Sequence, residues 1–208
     1  MVKNEKIDKI SLDGGSPCFH FINTVHNWVD ALVPDYLLSP IDIVVWAKKA
    51  EVLDAEQARS LEKWTLSNRR HTMQGLSRAK ILRGILHKIF YAISEQKRID
   101  SDELQRFNSF LADLLPKMRL KNSRGKYVQY WDFPNQNVDV VLAPLVNDGY
   151  DLILSDKLDR IKNCPSCGWI FLDTSKNGRR RWCSMKSCGS NVKALQWYYR
   201  QKKTRKMD

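Results

Sequence analysis

The stretch that decides the fold of the C-terminal part reads Cys164-Pro-Ser-Cys167-Gly-Trp-Ile-Phe-Leu-Asp-Thr-Ser-Lys-Asn-Gly-Arg-Arg-Arg-Trp-Cys183-Ser-Met-Lys-Ser-Cys188. Its cysteine spacing, C-x2-C-x15-C-x4-C, is that of two thiolate pairs closing on one ion. Pro165 and Gly168 suit a tight knuckle that sets the first pair around a zinc at about 2.3 Å per Zn–S bond. Four thiolates in a tetrahedron leave no open coordination position, so such a site is structural rather than catalytic. A redox dithiol leaves the second pair unexplained, and an iron–sulfur cluster lacks a supporting motif.

The residues between the ligands predict the rest of the module. Trp169, Phe171 and Leu172 read as a strand, Asp173 to Gly178 as a turn, and Arg180 to Cys183 as a return strand. Cys188 then falls in the first turn of a final helix reaching about Lys203, which makes the whole a treble-clef-like finger. So short a module buries too little surface alone, so the metal is expected to supply much of its folding free energy.

Outward from the cysteines, the preceding residues predict a mainly α body with one small β-hairpin. Apolar positions Phe21, Val25, Trp28 and Leu32 predict a helix over 19–32. Pro34 and Pro40 bracket a break. Ser39 caps a helix from Pro40 with Ile43, Val44 and Ala47 inside, and Asp54 caps the next, through Ala58, Leu61 and Thr65. The longest run, 73–95, places Leu76, Leu82, Ile85, Leu86, Ile89 and Ile93 inside. Ser101 opens a helix carrying Leu104, Phe107, Phe110, Leu111 and Leu114. The period then changes: 117–121 and 126–133 flank Asn122-Ser-Arg-Gly125, a hairpin signal. Helical spacing returns from Val138 to Ile153, and a connector from Asp156 to Lys162 leads into Cys164.

Charge is unevenly placed. The 208 residues carry a net +12; residues 163–208 hold 11 Lys and Arg against 2 Asp and Glu, and residues 1–162 hold 24 against 21. A +9 tail on a near-neutral body is the asymmetry of a nucleic-acid binder. A zinc ion with four thiolates sums to −2, which lowers the tail to about +7 and allows Arg179, Arg180, Arg181 and Lys186 to act as partners of the cluster. On the final helix, Val192, Leu195 and Tyr199 share one side, expected to pack on the finger. Lys193, Trp197 and Arg200, spaced i, i+4, i+7, form a cation–aromatic–cation stripe able to follow a phosphate backbone or stack on bases; packing of Trp197 on the body is the competing expectation. The run from Lys202 to Lys206 reads as a basic arm.

The remaining signals are mostly exclusions. No apolar run approaches the roughly 18 residues that cross a bilayer, so no membrane contact is expected. The first 17 residues lack the apolar core of a secretory signal, which points to the cytoplasm. Cys18 stands apart as a small hydrophobe. His20, His26, His71 and His87 lack ligand or catalytic spacing, and no phosphate loop, nucleophile elbow or carboxylate pair is present, so the sequence does not read as an enzyme. Asn23 and Thr24, polar amid apolar neighbours, either line an effector pocket with Trp28 and Trp46 or make local backbone hydrogen bonds.

As a string, Cys164 to Asn177 followed by Arg181-Trp-Cys-Ser-Met-Lys-Ser-Cys-Gly189 resembles the CGNR zinc-finger family. Phe21-Ile-Asn-Thr24 and the helical body resemble the ABATE domain of stress-induced regulators. Together the resemblances imply a bacterial transcription regulator in two parts: residues 1–162 as a sensing or dimerising body, and residues 163–208 as a DNA-binding finger with one structural Zn2+. The family's Cys-Gly-Asn-Arg is here Cys188-Gly-Ser190-Asn191, so the ligand and glycine are kept and the arginine is not; Arg181 and Trp182 match. RNA binding by the same surface and a zinc-shaped protein-docking module are the alternatives to DNA.

Overall fold

A computed structural model describes residues 2, 4–30 and 35–204, without the side chains of residues 203 and 204. The helices are α1 (Glu5–Asp8), α2 (Pro17–Ile22), α3 (Pro40–Lys49), α4 (Ala55–Ser67), α5 (Arg69–Ser94), α6 (Ser101–Leu114), α7 (Asp139–Ile153) and α8 (Ser190–Thr204). Two antiparallel pairs complete the chain: β1 (Met118–Ser123) with β2 (Lys126–Trp131), and β3 (Ile161–Asn163) with β4 (Ile170–Leu172). Among the described residues, no helix is long and apolar enough to cross a membrane.

The body is arranged around α5. Its inner face carries Leu76, Leu82, Ile85, Leu86, Ile89 and Phe90, all buried, and it packs against α2, α3, α4, α6 and α7. The caps are local. The Asp54 carboxylate accepts the N–H groups of Glu56 and Gln57, and Asp100 accepts those of Asp102 and Glu103. At α3, Asp42 does more than Ser39, taking the Leu38 and Ser39 N–H groups at 2.9 and 2.7 Å. Asp148 of α7 accepts the Cys18 N–H at 2.7 Å, which fixes α2 against α7. These elements and the β1–β2 hairpin follow the sequence signals.

The first long helix does not. Helix α2 ends at Ile22, and the segment from Asn23 to Asp30 is an irregular strap; Leu32 and Pro34 lie outside the described residues. The cause is competition for backbone groups. The Asn23 side chain donates to the Ile170 carbonyl at 2.8 Å and accepts the Ile170 N–H at 3.0 Å. Thr24 turns its hydroxyl back onto the Phe21 carbonyl at 2.7 Å. The Trp28 N–H then donates to the Cys167 carbonyl at 2.8 Å, and Trp169 Nε1 donates to the Val25 carbonyl at 2.7 Å. Strap residues therefore satisfy the backbone of the cysteine module instead of a helix of their own.

Helix α5 holds the strap from beneath. Arg83 is 4% exposed; it pairs with both carboxylate oxygens of Asp35 at 2.8 and 2.5 Å and donates to the Thr24 hydroxyl at 2.9 Å. One turn on, His87 stacks on Trp28 with ring centroids 3.9 Å apart and planes 12° from parallel, while its Nε2 donates to the Gly168 carbonyl at 3.2 Å. The cysteine module thus shares the body's core: Ile161, Trp169, Ile170 and Phe171 belong to the same buried cluster as α2 and α5. The β3–β4 pair straddles the boundary at residue 162.

Two outcomes are expected. Asn23→Ala leaves a buried N–H and C=O of Ile170 unpaired, so chemical denaturation should show a loss of about 2–4 kcal/mol. Burial depresses the pKa of His87 to about 4, with help from the Arg83 charge and against the hydrogen bond to Gly168. The unfolded state, titrating near 6.5, binds the proton first. Stability from neutral His87 is therefore complete above about pH 6.5 and falls as pH drops towards 4, by up to roughly 3 kcal/mol. His87→Phe should flatten that part of a stability–pH curve.

Candidate metal centre and nucleic-acid surface

The four cysteines converge. The Sγ atoms of Cys164, Cys167, Cys183 and Cys188 all lie within 4.8 Å of one another, with Cys167–Cys183 and Cys183–Cys188 each at 3.6 Å. A tetrahedron with Zn–S bonds of about 2.3 Å has edges of about 3.8 Å, whereas a disulfide would bring sulfurs to about 2.05 Å. The knuckle is closed by hydrogen bonds from Gly168 N–H to the Cys164 carbonyl (2.7 Å) and from Cys164 N–H to the Trp169 carbonyl (2.8 Å).

The donor set also suits a cation. With protons alone, hydrogen bonds from Cys167 and Cys183 hold the Cys164 thiol far down as a thiolate. Those same hydrogen bonds, reinforced by burial and the Cys164 charge, push Cys167 and Cys183 up. Four thiolates coexist here only around a divalent ion. The cluster fits one structural zinc with a closed shell.

Two glycines show how tightly the knuckle and the last ligand are seated. Gly168 has φ +72°, and a Cβ there would meet Trp28 Cβ at 2.8 Å. At Gly189 a Cβ would meet Met185 Sδ at 2.6 Å and Trp182 Cδ1 at 3.1 Å. Cys188 lies in a π-helical turn, Met185–Gly189, that runs directly into α8. Ser190, in the altered motif, donates its hydroxyl to the Met185 carbonyl at 2.7 Å, and Asn191 is exposed.

The connection between the cysteine pairs departs from expectation. Residues 180–183 form no return strand; β4 pairs instead with β3, which precedes the knuckle. Asp173 explains the difference. Its buried carboxylate accepts from Ser175 N–H (3.0 Å), Ser175 Oγ (2.6 Å), Arg180 N–H (2.8 Å) and Lys162 Nζ (2.9 Å). Burial raises its pKa, but these donors outweigh burial and hold it well below the usual carboxylate range. The Arg180 guanidinium donates to the carbonyls of Trp182, Cys183 and Asp13 and lies 4.6 Å from the Phe171 ring centroid. Arg180 is thus a brace of the finger, a correction to its place among the nucleic-acid contacts.

The other basic candidates are presented outward. Arg179, Arg181, Lys186, Lys193 and Arg200 are exposed, and the Arg181 guanidinium sits 5.0 Å from the Trp182 ring centroid. Helix α8 stands clear of the finger: Leu195, Trp197, Tyr198 and Tyr199 are 54–65% exposed, and Val192 alone among residues 190–202 is half-buried. The packing expected of Leu195 and Tyr199 on the finger, and of Trp197 on the body, does not occur. Arg205 and Lys206 of the basic arm lie outside the described residues. A cleft of about 1020 Å³ runs beside the metal site, bordered by Lys9, Asp13, His26, Tyr36, Lys186 and Asn191.

The four residues expected around an effector pocket are used otherwise. Asn23 and Thr24 clasp Ile170 and Arg83, Trp28 stacks on His87, and Trp46 is fully buried against Phe21 at 5.4 Å. Clefts of the body lie elsewhere; one, of about 480 Å³, is bordered by Trp64, Asn68, His71, Arg78 and Asn137. Sequence patterning gave no hint of the Arg83–Asp35 pair or the His87 stack. The one legible trace was Asn23 and Thr24, read as polar residues inside an apolar run.

One zinc per chain should be found by elemental analysis, and Cys188→Ser should reduce it. Chelation should release the chain from Cys183 onward, α8 included, while the body still unfolds cooperatively, because β3, β4 and the turn from Asp173 to Arg180 are held by hydrogen bonds as well as by the metal. Collapse of the whole body on chelation would contradict this arrangement.

Comparison with known families adds two findings. Residues 160–201 match the model of the CGNR zinc finger. Residues 15–156, more than half of the chain, match the ABATE model, described as "Putative stress-induced transcription regulator". None of the curated proteins matches the chain. The chain therefore belongs to the ABATE family and carries, after that domain, a zinc finger of the CGNR type.

Proposed function

We propose that this protein is a cytoplasmic transcription regulator that binds duplex DNA through its zinc finger, with residues 1–162 as the sensing or dimerising body and residues 163–208 as the DNA-contacting unit. The observation that carries the reading is helix α8, which projects from the metal site with Lys193, Trp197 and Arg200 exposed along one line. Arg179, Arg181 and Lys186 lie nearer its root. Zinc's part is architectural: it fixes the π-helical turn from which α8 departs, and so sets the direction of the basic stripe.

Phosphate contacts by these side chains release counterions, so affinity should fall steeply with salt. Charge reversal at Lys193 and Arg200 together should weaken binding to duplex DNA by about tenfold or more at low salt and reduce the slope of log K against log salt by about 2. Fluorescence anisotropy across a salt series measures both. Unchanged affinity would remove α8 from the interface. The exposed rings of Trp197, Tyr198 and Tyr199 also favour a second reading, stacking on unpaired bases of RNA. Tighter binding to single-stranded RNA than to duplex DNA in the same titration would select it.

A further inference from the structure

The charge of the body is more concentrated than its near-neutral total suggests. Residues 117–131 hold five cations (Lys117, Arg119, Lys121, Arg124 and Lys126) and no acid, while the rest of residues 1–162 holds 19 cations against 21 acids. The whole positive excess of the body thus lies in one 15-residue segment that holds the β1–β2 ribbon. The protein carries two basic concentrations, one on the finger and one on this ribbon.

The ribbon's exposure is as uneven as its charge. Every residue from Arg119 to Gln129 is exposed, on both faces, so the ribbon projects into solvent; Leu120 is 72% and Tyr127 79% exposed. A two-stranded hairpin with no covering layer is marginal in water by itself. The turn is built for a tight ribbon: Arg124 has φ 53° and Gly125 φ 79°, the two successive positive values of a type I′ turn, which places Arg124 at the tip.

Register sorts the side chains by face. Arg119 faces Tyr130, Lys121 faces Val128, and Ser123 faces Lys126, so these share one side. Leu120, Gln129, Asn122 and Tyr127 occupy the other. On the cationic side, Lys121 Nζ lies 5.3 Å from the Tyr130 ring centroid. Among the described residues, the one carboxylate within ion-pair reach of the ribbon's cations is Asp132, 3.9 Å from Arg119. Lysines on an exposed strand edge also deter pairing with other strands. That role needs no exclusion of acids and no gathering of Arg119, Lys121 and Lys126 on one face, whereas a polyanion requires both.

We propose that the β1–β2 ribbon is a second nucleic-acid contact, which lays its Arg119–Lys121–Lys126 face along the phosphates of duplex DNA with Arg124 leading at the tip. The inference rests on the reading of the protein as a DNA binder, but not on the residues of the finger. Three or four phosphates neutralised here would add to those engaged by α8. Affinity gained in this way is indifferent to base sequence.

The test uses the full-length, zinc-loaded protein and a duplex of about 30 base pairs, titrated over a salt series. The ribbon variant is Arg119→Thr/Lys121→Thr/Lys126→Thr, in which threonine keeps β propensity. Because these side chains are exposed, its melting temperature should match that of the parent protein. The expected result is a fall in affinity of tenfold or more at about 0.1 M salt and a slope shallower by about 2–3. Combination with charge reversal at Lys193 and Arg200 should then add its own loss. If the ribbon variant titrates like the parent while the α8 variant weakens, the ribbon inference fails and the finger reading stands. If the ribbon variant weakens and the α8 variant does not, the finger reading fails and the ribbon remains. A parent protein that ignores duplex DNA overturns both readings, and a ribbon variant that changes only the sedimentation coefficient marks the ribbon as a protein-docking surface and overturns the inference.

Discussion

The amide of Asn23 pairs with both backbone groups of Ile170 in β4, donating to its carbonyl and accepting from its N–H. Both residues are buried, so solvent cannot take the place of the partner. Once this pair forms, α2 must stop at Ile22, the strap must cross α5, and the cysteine knuckle must come to rest where Trp28 and His87 meet it. The buried Arg83–Asp35 pair holds the strap at the other side. Removing Asp35 would strand the Arg83 charge in the interior, whereas Asp35, half-buried, also has Lys80 at 3.3 Å.

Zinc acts on a frame that is already half built. The strap and α5 hold β3, the knuckle and β4, so the metal's particular task is to bring Cys183 and Cys188 to the first two ligands. That task determines where the chain beyond Cys183 goes, and therefore where α8 points. The −2 charge of the filled cluster and the carboxylate of Asp173 absorb part of the local positive charge. Arg180 and Lys162 are consumed as internal braces, with Lys162 reaching Asp173 and the Gly178 carbonyl. The cations presented to solvent are a subset of those counted in the sequence, and the geometry decides which ones.

Two projections emerge from a remainder that holds 26 cations against 23 acids once residues 117–131 and 190–204 are set aside. Helix α8 and the β1–β2 ribbon share an excess of cations, exposed aromatic rings and little packing against the body. Such elements contribute little to the core and are stabilised by what they meet. Their placement on separate parts of the chain allows a polyanion to be held at two points, with phosphate contacts accumulating from each. The metal sets one of these points, and a type I′ turn sets the other.

Elements with local signals are legible in the order of residues alone. Helices α3 to α7 follow from apolar periodicity and, for α3 and α4, from Ser39 and Asp54 at their starts; the hairpin follows from its turn, and the metal ligands from their spacing. These rest on contacts between residues a few positions apart, where pattern and structure coincide. Four features needed the folded chain: the end of α2, the pairing of β4 with β3, the bracing role of Arg180, and the use of Asn23, Thr24, Trp28 and Trp46 as clasp and core. The reason is distance along the chain. Asn23 and Ile170 are 147 residues apart, and Arg180 reaches Asp13 across 167. A hydrogen bond over such a span leaves no periodicity in either neighbourhood, yet burial makes its partners compulsory, and so it overrides the local preference for helix.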